Sequence, residues 1–220
     1  MSLTSPASVS GDTDAPGTAR ASGARRFGTA WLTLAVVVGL LLGFTAGLLA
    51  PRLTRPGDTS PEAGFARDMS THHAQAVEMA VLAHEKATDP DVRFLAVDIA
   101  LTQQAQIGMM QTWLREWRLD PTGSQPQMAW MSDGAPAVTG GLMPGMATDA
   151  QRAELRAATG RDFDVLFLQL MIQHHHGGIH MTEGVLELSD EPEVRRLAQA
   201  MINGQQTEIQ AMQDLLDKLA

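Results

Sequence analysis

Two stretches of the sequence carry the same set of imidazole and thioether side chains. Each has a Met, two adjacent His beginning three residues later, and a second Met six residues after the second His. The two sets are Met69, His72, His73 and Met79, and Met171, His174, His175 and Met181. Thioether combined with imidazole suits Cu(I) and Cu(II) better than other common metal ions. The doubled motif therefore predicts copper binding through these eight side chains.

Other readings of the motif fit less well or stay open. A di-iron site of the ferritin type needs Glu-x-x-His motifs, and neither Glu78 nor Glu85 is followed by His at that spacing. Zinc prefers His with Cys or carboxylate, and the chain has no Cys. The remaining alternative is structural: buried His that are merely hydrogen-bonded, with Met filling gaps in a core.

The similarity between the two stretches extends well beyond the motif. At an offset of 102 residues without gaps, 17 of 50 positions are identical between residues 65–114 and 167–216, including Phe65 with Phe167 and Pro90 with Pro192. Such agreement indicates two copies of one structural unit. Each copy reads as two helices joined by a Pro-containing turn, so the chain contains two helical hairpins.

Helical geometry places the motif on one face. At 100° per residue the two His and two Met of each copy fall within roughly 120°, on the apolar stripe that should face the core. Ala76 and Gly178 lie at the centre of these stripes, where small residues allow a facing helix or a ligand to approach closely. Gln103 and Gln205 lie on the inner stripes of the partner helices and are predicted to orient the second nitrogen of a ligating His.

The elements that must position these residues predict an all-α fold. Four long helices are expected within residues 60–118 and 162–219, and no segment alternates with the period of a strand. Two repeated antiparallel hairpins favour a ferritin-like four-helix bundle over residues 60–220. Residues 119–161 form the crossover, with a short helix opened by the capping box Thr148–Gln151.

The N-terminal part is predicted to be a membrane anchor. Residues 1–26 read as a disordered cytoplasmic tail, residues 27–50 as an uncharged transmembrane helix and residues 51–59 as a linker. Twenty-four helical residues span ~36 Å, enough for a bilayer core of ~30 Å. Arg20, Arg25 and Arg26 precede the span and favour a cytoplasmic N-terminus with the bundle outside the cell membrane. The alternative is a secreted protein released by cleavage of a signal peptide.

Composition excludes several partners. The formal net charge is −9, and the acidic residues concentrate after the apolar segment. An acidic domain repels nucleic acid and attracts cations weakly. Without Cys, any binding of a soft metal must rely on Met. The predicted partners are therefore a metal ion and the membrane, with self-association or a copper-handling protein left open.

Further candidate ligands lie outside the repeated motif. His176 and His180 are four residues apart on one helix, a spacing that either holds a metal or forms a solvated outer face. His84 has Leu186 as its counterpart in the second copy and is treated as auxiliary. Met143 and Met146, with the other loop methionines, either pass Cu(I) between thioethers or cover the bundle.

These residues resemble the domain of unknown function 305 family. The resemblance rests on Asp68–Ala80 and Phe167–Met181 and covers about residues 60–217, including the Met-Pro-Gly-Met loop. It implies an exported, ferritin-like four-helix bundle, connected in some members with copper binding and tolerance. By matching position it implies that the eight His and Met of the motif are the functional residues. His176 and His180 depart from the family pattern.

The predicted function is copper sequestration or handover by a membrane-anchored extracytoplasmic protein. A copper-dependent redox enzyme is one alternative, and a purely structural envelope bundle is another; no nucleophile or carboxylate pair supports hydrolysis. Since ligating His must be neutral and free His titrates near ~6.5, copper release is expected between roughly pH 6 and 5. The sequence leaves open the stoichiometry, the oxidation state, and whether the His pairs form one site or two.

Overall fold

A computed structural model describes residues 24–53 and 55–220 of the chain. Most of the predicted N-terminal tail, residues 1–23, lies outside the described residues. The described part contains the helices α1 (Ala24–Leu53), α2 (Pro61–Lys86), α3 (Pro90–Trp117), α4 (Gly134–Ala137), α5 (Asp149–Ala157), α6 (Gly160–Leu188) and α7 (Pro192–Leu219). The described residues divide into two units, one that ends at residue 53 and one that begins at residue 55.

The first unit contains one long apolar helix. Within α1, the stretch Gly28–Leu48 is long and apolar enough to cross a membrane, and none of it is buried inside the protein. Helices of this length and composition occur both in membrane anchors and in signal sequences. The predicted apolar N-terminal helix is thus present.

The second unit is the predicted four-helix bundle of two hairpins. Helix α2 packs along α3, α6 packs along α7, and the hairpins meet mainly through α2 and α6. The turns form where the sequence predicts them. Ser60 caps α2 by accepting from the Ala63 amide, and Thr148 and Gln151 form the capping box of α5. In the described residues the one β feature is an isolated bridge between Thr139 and Leu142.

One buried carboxylate ties the first hairpin to the second. Asp164 on α6 is 1 % exposed and accepts hydrogen bonds from the Thr88 amide (3.0 Å), the Thr88 hydroxyl (2.6 Å) and the Asp89 amide (2.9 Å). These donors belong to the turn between α2 and α3. The contact therefore holds the turn of the first hairpin against the first helix of the second.

The bundle interior contains two apolar clusters. One includes Phe163 and Phe167 with part of α5; the other includes Phe65 and Trp113 with side chains from the crossover. Three crossover methionines, Met128, Met131 and Met143, are buried in or against the second cluster. These three crossover side chains are therefore part of the bundle's interior packing.

Candidate metal centre

The four motif histidines lie together in the middle of the bundle. Each is at most 1 % exposed. The ring of His72 on α2 lies 3.8 Å, centroid to centroid, from the ring of His174 on α6, and 6.4 Å from the ring of its neighbour His73. The two hairpins therefore bring one ring of each His pair into contact between α2 and α6.

Hydrogen bonds on three of the rings fix which nitrogen carries the proton. Nε2 of His72 donates to the Pro144 carbonyl (2.9 Å), Nε2 of His73 to Gln106 Oε1 (2.7 Å), and Nε2 of His175 to Glu208 Oε2 (2.7 Å). All three acceptors are oxygens without a proton to give, so Nε2 must be the protonated nitrogen in each neutral ring. The Nδ1 atoms then carry lone pairs.

Those lone pairs have no partner in the protein. The Nδ1 atoms of His72, His73 and His175, and Nε2 of His174, are buried without a hydrogen-bond partner. A buried acceptor left unsatisfied costs on the order of 1–3 kcal/mol. Four buried ring nitrogens without a partner are a poor arrangement for packing alone, and the lone pair of a neutral imidazole is a donor for a metal ion.

Burial lowers the pKa of three of the rings, those of His72, His73 and His174, and so favours their neutral form. Desolvation lowers the pKa of His72 to about 4, with the charge of His175 adding to the effect and the bond to the Pro144 carbonyl opposing it. Desolvation and the charge of His72 lower the pKa of His73 to about 3, although the bond to Gln106 opposes the shift. The pKa of His174 also falls well below 6.5, through desolvation first and the neighbouring rings second. Neutral imidazole is the form that binds metals.

The predicted orienting glutamines are the wrong ones. Gln103 and Gln205 are buried on α3 and α7, yet neither bonds to a histidine, and Gln103 Oε1 and Gln205 Nε2 have no partner. The rings are oriented instead by Gln106 and Glu208, three residues further along the same helices. Gln205 lies over Gly178, where a Cβ would come within 2.5 Å of Gln205 Oε1, so this glycine makes room for a side chain of the facing helix.

The four motif methionines divide between the two apolar clusters in a crossed arrangement. All four are buried, with exposure of 1 % or less. Met69 and Met181 belong to the cluster that contains Phe65, while Met79 and Met171 belong to the cluster that contains Phe163. Each cluster therefore receives one thioether from each hairpin.

The Met-Pro-Gly-Met loop lies directly against the centre. Besides the bond from His72 to Pro144, Gln75 donates to the Ala147 carbonyl (3.0 Å) and accepts from the Ala147 amide (2.7 Å). Gly177 of α6 leaves room for this loop, because a Cβ there would come within 1.9 Å of the Pro144 carbonyl oxygen. Met143 is buried and Met146 is half-buried at the two ends of the loop motif.

The secondary histidine candidates lie outside the buried cluster. His84 and His176 are exposed. His180 is half-buried and has its Nε2 3.5 Å from Asp133 Oδ2, an exposed contact. In this structure the outer line of His and Glu on α6 thus matches the solvated face considered above.

No group of three or more His, Asp or Glu side chains among the described residues is arranged so that it could hold a metal ion by itself. The rings of His72 and His174 lie against each other with an interplanar angle of 37°. Imidazole and thioether are donor types that suit a soft metal, and the four motif methionines are buried in the same bundle as the rings.

The fold and this centre define a class of all-α protein in which two copies of a hairpin join their His-His motifs inside a bundle. The chain belongs to the domain of unknown function family DUF305, whose model matches residues 62–216. No curated protein matches the chain.

Solved structures of relatives agree with this assignment. A DUF305 protein of Streptomyces coelicolor shares 45 % identity and a TM-score of 0.68, covering 74 % of this chain and 96 % of its own. A DUF305 fragment of Deinococcus radiodurans shares 34 % identity and a TM-score of 0.60, covering 72 % and 96 %. CopM in its Cu(II)-bound form shares 29 % identity and a TM-score of 0.58, covering 73 % and 98 %; it is also known in Cu(I)- and Ag-bound forms.

Proposed function

We propose that this protein binds copper in the buried His/Met centre and sequesters it or hands it on outside the cytoplasm. The ligands are drawn from the paired histidines and from the thioethers that flank them. The observation that carries the proposal is the set of four buried imidazole nitrogens without protein partners. Copper- and silver-bound forms of CopM, a protein of similar fold, support the choice of metal.

The alternatives are less well supported. A redox enzyme needs a coordination position that an outside molecule can reach, whereas these rings are at most 1 % exposed and lie beneath the Pro144 loop. A structural bundle would satisfy its buried rings with donors from the protein, and four ring nitrogens lack them. Storage or transfer of a metal requires only that the centre open and close.

The apolar helix α1 supports placing the bundle at a membrane. We propose that Gly28–Leu48 anchors the chain and that the bundle lies on the extracytoplasmic side. We expect the protein to stay with the membrane when it is washed with salt. We also expect protease added outside intact cells to cleave the bundle. A soluble product that begins after residue 50 would instead identify a cleaved signal sequence.

The decisive experiment compares two sets of histidine substitutions in the full-length protein, purified in detergent without a His-tag. The first set changes the buried rings to Gln at His72, His73, His174 and His175. The matched control changes the outer rings to Gln at His84, His176 and His180. Copper content, and competition with chelators of known affinity for Cu(I), Cu(II) and Zn(II), are then measured.

We expect copper in the parent and in the control, and none in the buried set. Copper at one hundred times its Kd should stabilise the parent by about 2.7 kcal/mol, and this stabilisation should vanish only in the buried set. Zinc retained as well as copper would refute the metal assignment. Copper retained by the buried set would place the site elsewhere.

A further inference from the structure

The two halves of the centre differ in charge at one pair of equivalent positions. Gln106 and Glu208 each stand 33 residues after the histidine that they orient, and 102 residues apart from each other. Each accepts from the Nε2 atom of its ring at 2.7 Å. The hairpin repeat thus preserves the geometry of the contact while one copy supplies a neutral amide and the other a carboxylate.

Glu208 is the one carboxylate bonded to any of the four buried rings within the described part of the chain. The other buried charged side chains are engaged elsewhere. Arg67 pairs with Asp58, Asp68 accepts from the Met128 amide and the Trp130 indole, and Asp164 accepts from the turn at Thr88. The rings themselves and the flanking thioethers are neutral donors. The centre therefore contains a single built-in negative charge.

We propose that Glu208, acting through His175, supplies the counter-charge of the metal centre and discriminates between ions by charge: it raises the affinity for doubly charged Cu(II) more than the affinity for singly charged Cu(I) or Ag(I), and so lowers the Cu(II)/Cu(I) potential. This inference rests on the proposed function. With neutral ligands, the carboxylate is the one negative charge that offsets the ion, and its Coulomb attraction is about twice as large for a doubly charged ion. Without it, Cu(II) would leave two uncompensated positive charges and Cu(I) one among rings that water does not reach, and an unpaired buried charge is strongly unfavourable.

Glu208 is a positioning and charge-setting residue, since it touches the metal only through the ring of His175. Loss of such an outer partner typically lowers metal affinity 10- to 100-fold. Coulomb energy scales with the charge of the ion, so removing the carboxylate should weaken Cu(II) binding more than Cu(I) binding. If Cu(I) affinity falls about tenfold, Cu(II) affinity should fall about a hundredfold. A tenfold change in their ratio corresponds to about 59 mV in a one-electron potential.

The repeat offers three matched variants for the test. Glu208→Gln gives a centre with two amides and no charge, and Gln106→Glu gives one with two carboxylates. The double variant Gln106→Glu/Glu208→Gln moves the single carboxylate to the other half. Affinities for Cu(I), Ag(I) and Cu(II), and the Cu(II)/Cu(I) potential, are measured on the full-length protein in detergent, with circular dichroism as the check on folding.

Charge selection predicts opposite shifts in the single variants. Glu208→Gln should raise the potential by about 59 mV, Gln106→Glu should lower it by about the same amount, and the double variant should return it close to the parent value. A merely structural Glu208 would weaken all three ions equally and would not be rescued by the double variant. That result would overturn the inference while leaving the copper proposal intact.

The remaining outcomes are equally decisive. If the parent binds no copper or silver, the proposed function fails and this inference fails with it. If Glu208→Gln does not fold, Gln106→Glu still decides the matter, because it adds a second carboxylate and leaves Glu208 unchanged. A Gln106→Glu variant with unchanged potential would refute charge selection.

Discussion

Replacing Gly177 by Ala should disturb the metal centre through the loop that covers it. A Cβ at this position would come within 1.9 Å of the Pro144 oxygen, 2.4 Å of the Pro144 carbonyl carbon and 2.8 Å of the Gly145 nitrogen. Ordinary contacts between heavy atoms need about 3.5 Å, so the loop must shift by roughly 1.5 Å. The neighbouring backbone is packed closely as well, because a Cβ at Gly145, whose φ is 77°, would come within 2.4 Å of the Gln173 carbonyl oxygen.

The shift has a cost that can be worked out from the contacts. Overpacking of a fitted site costs roughly 1–3 kcal/mol, and the bond from His72 to Pro144 contributes about 0.5–1.5 kcal/mol. The better helix propensity of Ala offsets about 0.5–1 kcal/mol of this. The expected net loss is about 1–3 kcal/mol. Each kcal/mol lowers the Tm of a domain of this size by about 2–4 °C. Copper affinity should also fall about 10- to 100-fold, because His72 loses its orienting partner.

The assay is thermal and denaturant unfolding of the metal-free protein followed by circular dichroism, together with copper competition. Gly204→Ala is the matched control: it lies within α7 and a Cβ there meets nothing within 4 Å. The control should gain about 0.5–1 kcal/mol of stability and keep its copper affinity. If Gly177→Ala behaves like the control in both measurements, the loop does not orient His72 and the reasoning is wrong.

Three further predictions concern protons, thioethers and the junction of the hairpins. Because the pKa values of His72 and His73 are lowered by folding, the unfolded chain binds more protons than the folded chain between about pH 6.5 and 4. The free energy of unfolding of the metal-free protein should therefore decrease as the pH is lowered through that window, by up to about 3 kcal/mol per pH unit. A flat profile would show that these rings are not buried. The same burial should hold copper to lower pH than the release between roughly 6 and 5 expected for free imidazole. Changing Met69 and Met171 to Leu should weaken the binding of Cu(I) more than that of Cu(II), and should lower folding stability by less than about 1.5 kcal/mol per site. Unchanged Cu(I) affinity would show that both residues serve only to pack the core. Asp164→Asn should lower the free energy of unfolding in urea by about 1–3 kcal/mol, because the amide loses part of the hydrogen bonding to the turn at Thr88. The control Asp162→Asn, at an exposed site, should leave it nearly unchanged, and equal unfolding midpoints for the two variants would contradict the role given to Asp164.

The sequence predicted the architecture well because its signals are local and repeated. Helix starts at Ser60 and Thr148 depend on side chains bonding to amides a few residues away, which the sequence displays directly. The 102-residue offset then required both hairpins to have the same form. Periodicity also placed the motif His and Met on the buried face, where the structure has them.

The details of the centre depended on contacts that no local pattern encodes. Helical periodicity placed Gln103 on the inner stripe of α3, but periodicity does not tell which amide of that helix meets a ring on α2. The rotation of α3 against α2 decides this, and it favours Gln106. One feature of the sequence could have indicated the correct ring partners. Gln106 and Glu208 occupy equivalent positions in the two repeats, and their side chains have the same shape although one is an amide and the other a carboxylate.

The bond of His72 to the loop was also beyond prediction. It joins residues 72 apart in the chain, and its acceptor is a backbone carbonyl, which has no residue-specific signature. Gly145 and Gly177 leave room for that close approach of the loop to α6. Their role can be recognised only in the structure, where the loop lies against this helix.

The crossed arrangement of the flanking methionines has a consequence for how the protein folds. Contacts within each hairpin are local, whereas His72 and His174 must meet across 102 residues of chain. Loop-closure entropy opposes that meeting, so the hairpins should form early and dock late. Neither hairpin supplies both thioethers of either cluster, so no complete centre exists before docking. Metal capture would then mark the last step of folding, and substitutions between α2 and α6 should accelerate unfolding more than they slow folding.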